Sequence, residues 1–95
     1  MAYMRTKRER AARSRGRHTK AEWLALCQEF DFRCVRCGTG ERRVEKDHIV
    51  PLYRGGCDCI ANLQPLCVSC NIGKGPETIN WVIYRRRHGF EDAVA

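Results

Sequence analysis

The feature that most constrains this chain is a set of four cysteines in two Cys-x-x-Cys pairs, Cys34 with Cys37 and Cys67 with Cys70. A Cys-x-x-Cys turn directs two thiolates toward one tetrahedral ion, so two such turns supply the four ligands of a closed structural zinc site. The alternative is that these cysteines form disulfides, as they do in small secreted domains. The first residues hold neither an apolar segment nor a cleavage pattern typical of a signal peptide, which favours zinc.

The length of 95 residues predicts one domain, whose compact part is too small for a hydrophobic core alone to be more than marginally stable. Structural zinc contributes on the order of 10 kcal/mol of apparent binding free energy, comparable to the net stability of a whole domain. We therefore expect loss of the metal to unfold the chain. No apolar run approaches the roughly 20 residues that span a membrane, so we expect a soluble, cytoplasmic protein without a membrane partner.

The formal charge of +7 is concentrated near the start of the chain. Residues 5–17 contain one acid, Glu9, and these basic residues: Arg5, Lys7, Arg8, Arg10, Arg13, Arg15 and Arg17. Such an arm is expected to be disordered and to bind phosphate backbones, because it lacks the apolar periodicity of a packed or membrane-inserted helix. The arm therefore predicts a nucleic-acid partner, and the alternative is a solubilising tail.

The first predicted helix covers residues 20–30. Thr19 and Glu22 have the spacing of a capping box at its start. Its apolar face is expected to consist of Trp23, Leu24, Leu26, Cys27 and Phe30. We interpret Cys27 as a small buried apolar residue rather than as a zinc ligand.

The remaining elements are short. They are predicted as a strand over 44–49, a loop over 51–62, a strand over 63–66, a helix over 68–74 and a helix over 77–87. Pro65 weakens the second strand and suits an edge position. The last helix is expected to turn Ile79, Val82 and Ile83 inward, with help from Trp81 and Tyr84.

Asp47 and His48 are neighbours at the end of the first predicted strand. Their side chains should project to opposite faces and have different roles. Histidine accepts protons near neutral pH, so His48 is a candidate general base. Asp47 offers a hard oxygen ligand, and the amide oxygen of Asn71 would complete a two-ligand site for magnesium or manganese. Taken singly, these residues are more often surface or turn residues.

Several motifs of this chain follow one another in the order and spacing of HNH endonucleases. They are Cys34-x-x-Cys37, Asp47-His48-Ile49-Val50-Pro51-Leu52, Gly55-Gly56, Asn62-Leu63 and Cys67-x-x-Cys70-Asn71-x-x-Lys74-Gly75. Over residues 34–76 the chain therefore resembles an HNH endonuclease, and its His18-Thr19 lead-in is similar to that of small phage-type members. The resemblance implies a small α+β fold: a ββα-metal (His-Me finger) core, stapled by a structural zinc and flanked by N- and C-terminal helices.

The resemblance also implies a role for each residue of the site. His48 would be the general base, Asp47 and Asn71 would bind one catalytic divalent ion, and Asn62 would hold the loop and orient the His48 ring. The paired cysteines would bind the structural zinc. Asn71 stands where the family often has histidine, and an amide oxygen favours magnesium or manganese over zinc or nickel.

Cys57 and Cys59 lie in the predicted loop, where such proteins typically carry polar or acidic residues. Two cysteines cannot close a tetrahedral site alone. We therefore expect incidental thiols, and a second metal site or a redox switch are the alternatives.

These predictions divide the chain into a basic arm (1–17), an HNH nuclease domain (18–90) and a tail (91–95). We expect a metal-dependent endonuclease that hydrolyses DNA with low sequence specificity, alone or within a larger phage packaging or restriction machine. The alternatives are a non-catalytic zinc-ribbon DNA-binding module and an RNA-guided or tRNA-cleaving nuclease. Besides the arm, the backbone contacts are expected from Lys74, Arg85, Arg86 and Arg87.

Overall fold

A computed structural model describes residues 16–91. In chain order its regular elements are helix α1 (Lys20–Glu29), strand β1 (Val44–His48), strand β2 (Leu63–Cys67), helix α2 (Val68–Lys74) and helix α3 (Trp81–His88). This is a small α+β protein, as predicted. Most of the predicted arm and tail, residues 1–15 and 92–95, lies outside the described part of the chain.

Helix α1 begins at the predicted capping box. The Glu22 amide donates to Thr19 Oγ1 at 3.0 Å, and the Thr19 amide donates to Glu22 Oε1 at 2.8 Å. Cys27 and Phe30 are buried as expected, whereas Leu24 is 39% exposed and lies outside the packed face. The helix thus presents a narrower apolar face to the core than its sequence suggests.

The two strands form an antiparallel sheet in which Asp47 pairs with Gln64 and His48 with Leu63. Every residue of β2 is buried, and Pro65 is accommodated opposite Lys46. Pro65 has no N–H to donate, but its carbonyl accepts from the Val35 amide at 3.0 Å. Helix α2 follows β2 without a linker and packs against both strands.

Gly55 and Gly56 shape the connection between the strands. Gly55 has a left-handed φ of 89°. A Cβ on Gly56 would lie 1.9 Å from the Val50 carbonyl oxygen, so no other residue fits there without moving the backbone. The loop thus turns back on the segment that follows β1, where the Gly56 amide donates to the Pro51 carbonyl at 3.0 Å.

Helix α3 begins at Trp81, four residues later than the sequence pattern suggests. Asn80 caps it by accepting from the Ile83 amide at 3.1 Å, and Gln64 holds the preceding backbone through the Ile79 carbonyl and the Trp81 amide. Val82 packs inward, but the prediction for Ile83 was wrong because that side chain is 51% exposed. Gln64, in β2, therefore fixes the start of the helix.

The core joins α1, β2, α3 and the cysteine turns in one cluster. Its buried members are Leu26, Phe30, Cys34, Val35, Leu63, Leu66, Cys67, Cys70 and Val82. Three of the four paired cysteines thus belong to the core itself. Within residues 16–91, no helix is both long and apolar enough to cross a membrane.

Candidate catalytic site and metal centres

The paired cysteines come together as predicted. The sulfur atoms of Cys34, Cys37, Cys67 and Cys70 all lie within 4.8 Å of one another, and none of these cysteines forms a disulfide. The Cys37 and Cys67 sulfurs are 3.9 Å apart. A tetrahedral zinc with Zn–S bonds of about 2.3 Å requires sulfur separations of about 3.8 Å. The geometry and the all-thiol ligand set therefore fit a structural zinc.

The negative charge of the thiolates in this cluster also favours a bound cation. Burial disfavours the Cys34 thiolate, but hydrogen bonds from the backbone of Cys37, Cys67 and Arg36 outweigh it and lower the pKa of Cys34 to about 7. Burial and the neighbouring thiols raise the pKa of Cys70 to about 12. Four adjacent thiolates repel one another unless a metal compensates their charge.

A second site is a cavity of about 390 Å³ where the end of β1 faces α2. Asp47, His48 and Asn71 all line it, together with Lys74 and Tyr53. Two of these residues come from β1 and two from α2, so the hairpin and the helix that follows it create the cavity. The structure thus brings together the predicted base and both predicted metal ligands, whereas Asn62 is not part of the lining.

Asp47 is buried and already has protein partners. Its Oδ2 accepts from Gln64 Nε2 at 2.8 Å and lies 3.2 Å from Lys74 Nζ, while Oδ1 lies 3.4 Å from the same ammonium group. A carboxylate has about four lone-pair sites, so these contacts leave capacity for a metal on Oδ1. Asn71 uses its amide nitrogen on Glu45 Oε1 at 3.1 Å, which leaves its amide oxygen as an acceptor. The donor set fits a hard divalent ion, and the Lys74 ammonium group would compete with that ion for the Asp47 carboxylate.

The ring of His48 has a different partner from the expected one. His48 Nε2 lies 2.7 Å from Asp58 Oδ1, and within residues 16–91 its ring makes no hydrogen bond to Asn62. An ionised carboxylate only accepts, so this contact assigns the proton of the neutral ring to Nε2 and leaves Nδ1 as the nitrogen able to take another. The expectation that Asn62 orients this ring is therefore not met by the geometry.

Asn62 holds the loop, as expected. Its Oδ1 accepts from the Val50 amide at 2.9 Å, and its Nδ2 donates to the carbonyls of Val50 at 3.0 Å and Cys57 at 2.7 Å. The Asn62 backbone carbonyl also accepts from the Ile49 amide at 2.8 Å. One side chain thereby ties the segment after β1 to the loop that carries Asp58.

Residues 34–77 match the family model described as HNH endonuclease. This segment is thus similar to HNH endonucleases. The match includes both cysteine pairs, the sheet and α2, and it leaves α1 and α3 as additions on either side. Searches among curated proteins and among solved structures found no match.

The loop cysteines of the matched segment are not the incidental thiols that we expected. Cys57 and Cys59 form a disulfide that encloses Asp58. The Cys59 amide donates to Cys57 Sγ at 3.0 Å. A Cβ on Gly16 would meet the Cys57 sulfur at 2.7 Å, so the start of the described chain packs directly on the bridge. The loop is thus closed by a covalent bond close to His48.

Two of the basic residues predicted to bind the DNA backbone are engaged within the protein instead. Lys74 is buried against Asp47. Arg85 is 4% exposed and donates to the carbonyls of Val35 and Arg36 in the first cysteine turn. Burying a guanidinium requires such acceptors, so these two positions have structural roles that their sequence does not reveal.

The neighbours of Arg85 face solvent. Arg86 makes two hydrogen bonds to Glu29, at 2.7 and 2.8 Å, which join α3 to α1 and lower the pKa of the Glu29 carboxyl. Arg87 is exposed. Arg87 is therefore better placed than Arg86 to contact a phosphate.

Three residues that contact the candidate site were not predicted from the sequence. Gln64 lies opposite Asp47 in the sheet and binds its carboxylate, Asp58 contacts His48, and His18 Nδ1 lies 2.8 Å from the Asp58 carbonyl oxygen. Gln64 could be predicted only from the register that pairs it with Asp47, and the sequence does not give this register. No local pattern links residues 18 and 58.

Proposed function

We propose that this HNH protein is a metal-dependent endonuclease that hydrolyses phosphodiester bonds in DNA. The observation that carries the proposal is the shared cavity: His48, Asp47 and Asn71 line one space, in the segment that matches the HNH family. A base and two hard oxygen donors around an open cavity suit hydrolysis of a phosphate ester.

Asp47 and Asn71 would hold the catalytic magnesium or manganese. When bound, the ion supplies positive charge next to the phosphate as negative charge develops there. His48 accepts a proton from the attacking water at Nδ1, while Asp58 accepts a hydrogen bond from Nε2. The sheet and α2 would then form a ββα-metal core.

The cysteine cluster supports this core by fixing its geometry. Cys67 ends β2, Cys70 lies in the first turn of α2, and Asn71 follows directly. A zinc bound to both cysteines holds the junction of strand and helix, and so fixes where Asn71 meets Asp47. Zinc is proposed as structural because four thiolates leave no open position for water.

DNA binding is proposed to come mainly from the arm. Residues 1–15 hold six basic residues and one acidic residue. They join the described chain at Gly16, which packs on the Cys57–Cys59 loop, so the arm is attached beside the proposed site. Tyr53 is 64% exposed at the cavity rim, where an aromatic ring can contact a nucleotide.

A non-catalytic zinc-ribbon module is the second candidate function. The buried pair of Asp47 and Lys74 favours it, since an ammonium group already compensates the carboxylate that the ion would need. The two proposals differ in one property. Only the enzyme requires His48 and a divalent ion for a chemical step.

The test is cleavage of supercoiled plasmid with magnesium and with manganese by the wild type, His48→Ala and His88→Ala. His88 is exposed at the end of α3 and serves as the matched control. We expect His48→Ala to lower the cleavage rate by about 100- to 10,000-fold, with zinc content and duplex affinity unchanged. A rate within a few-fold of wild type would refute the role of His48.

A wild type that binds zinc and duplex but does not cut with either ion would favour the non-catalytic module. An RNA duplex and a single-stranded RNA in the same assay test the substrate. Cleavage of RNA in preference to DNA would overturn the substrate class.

A further inference from the structure

The contact between His48 and Asp58 is short and sheltered. His48 Nε2 and Asp58 Oδ1 are 2.7 Å apart, and the side chains are 11% and 15% exposed. Water therefore competes weakly for either group. A charge-assisted hydrogen bond of this length restricts rotation of the imidazole ring.

We propose that Asp58 is the positioning residue for His48 in the proposed reaction. The role rests on the proposed nuclease function of His48. By accepting from Nε2, the Asp58 carboxylate selects the tautomer whose Nδ1 is unprotonated. It also offers a negative charge beside the imidazolium that forms when Nδ1 takes the proton of water.

Asp58 is itself held from both sides. The disulfide between Cys57 and Cys59 closes a loop with Asp58 as its single enclosed residue. Asn62 holds the Cys57 carbonyl at 2.7 Å, and His18 Nδ1 lies 2.8 Å from the Asp58 carbonyl oxygen. A carboxylate on such a constrained loop can orient a ring more precisely than one on a free loop.

The loop is also held by contacts that do not involve the Asp58 side chain. They are the backbone contacts above and those of the Asn62 amide, whereas the carboxylate hydrogen-bonds His48 and otherwise lies 3.7 Å from His18 Nδ1. Removing the carboxylate should therefore change the ring of His48 more than the fold. This difference between the effect on the His48 ring and the effect on the fold distinguishes a positioning role from a purely structural one.

The experiment compares the wild type with Asp58→Ala, Asp58→Asn and the control Glu41→Gln, which removes one negative charge from an exposed position. Plasmid cleavage gives kcat and KM, and proton NMR observes the Nε2-bound proton of His48. Zinc content and thermal melting monitor the fold. Asp58→Asn preserves the side-chain shape and serves if the alanine variant does not fold.

We expect Asp58→Ala to lower kcat by about 10- to 100-fold, taking the range known for partners that orient metal-ligating histidines, with KM nearly unchanged. The Nε2-bound proton should give a slowly exchanging signal in the wild type and in Glu41→Gln. This signal should be lost in Asp58→Ala. Asp58→Asn should lower kcat as well, because its amide can turn a donor toward Nε2 and favour the wrong tautomer.

A kcat within twofold of wild type in both Asp58 variants would overturn the positioning role, as would a lowered kcat with the Nε2-bound proton signal intact. Failure of the nuclease proposal looks different. A wild type that shows this proton signal but cuts no substrate refutes catalysis, and with it the role of Asp58 in catalysis, while leaving the contact itself established.

Discussion

Lys74 Nζ lies 3.2 Å from Asp47 Oδ2, with the two side chains only 1% and 8% exposed. Lys74 also donates to the His48 carbonyl at 3.2 Å. The last turn of α2 is thereby joined to the end of β1 through charge. A divalent ion at Asp47 would take over part of this compensation, so the pair would then link fold stability to metal binding.

Lys74→Met should destabilise the zinc-bound protein, in the absence of manganese, by about 3–5 kcal/mol, because it leaves the Asp47 carboxylate buried without its cation. Manganese should recover more of this loss in the variant than it adds to the wild type, since the ion meets no competing ammonium group. Thermal melts with and without manganese measure both effects, with the exposed Lys20→Met as control. Equal manganese shifts in all three proteins would place the ion elsewhere.

Cys67→Ser should lose zinc and unfold the domain, because Cys67 is both a member of the four-thiol cluster and part of the core. Cys57→Ser makes the same chemical change outside that cluster and should keep its zinc. Metal analysis and circular dichroism check both variants. Zinc loss in Cys57→Ser would mean that the ligand set is wrong.

Arg85→Ala should destabilise the protein by about 3–6 kcal/mol, since each hydrogen bond from a charged donor contributes about 1.5–3 kcal/mol and two backbone carbonyls of the cysteine turn lose theirs. Arg87→Ala, two residues along the same helix, should leave stability nearly unchanged. Chemical denaturation measures both, and duplex affinity should fall in Arg87→Ala only. Similar stability of the two variants would contradict the structural role of Arg85.

Deletion of residues 1–15 should weaken DNA binding and leave cleavage at low salt intact. The cut is placed before Gly16 because Gly16 and His18 contact the loop of Asp58. Each phosphate neutralised adds about 0.9 to the slope of log affinity against log salt, so engaging half of the six basic residues changes the slope by roughly three. Binding titrations at several salt concentrations test this. Equal slopes would identify the arm as a solubilising tail.

The sequence by itself determined the parts of the protein that depend on spacing over a few residues. The thiol pairs, the capping box of Thr19 and Glu22, and the bounds of α2 follow from such local patterns, because a turn or a helix start is fixed by its own neighbours. The order of the motifs also predicted that Asp47, His48 and Asn71 share a site, and they line one cavity.

Tertiary structure alone decided which charged and polar groups are buried and which residues are their partners. Lys74 and Arg85 look like surface cations in the sequence, yet both are buried on acceptors supplied by distant segments. The partner of the His48 ring is Asp58, from a loop whose path depends on Gly56, Asn62 and a disulfide. Burial of a charge depends on every segment that packs around it, and spacing along the chain does not contain that information.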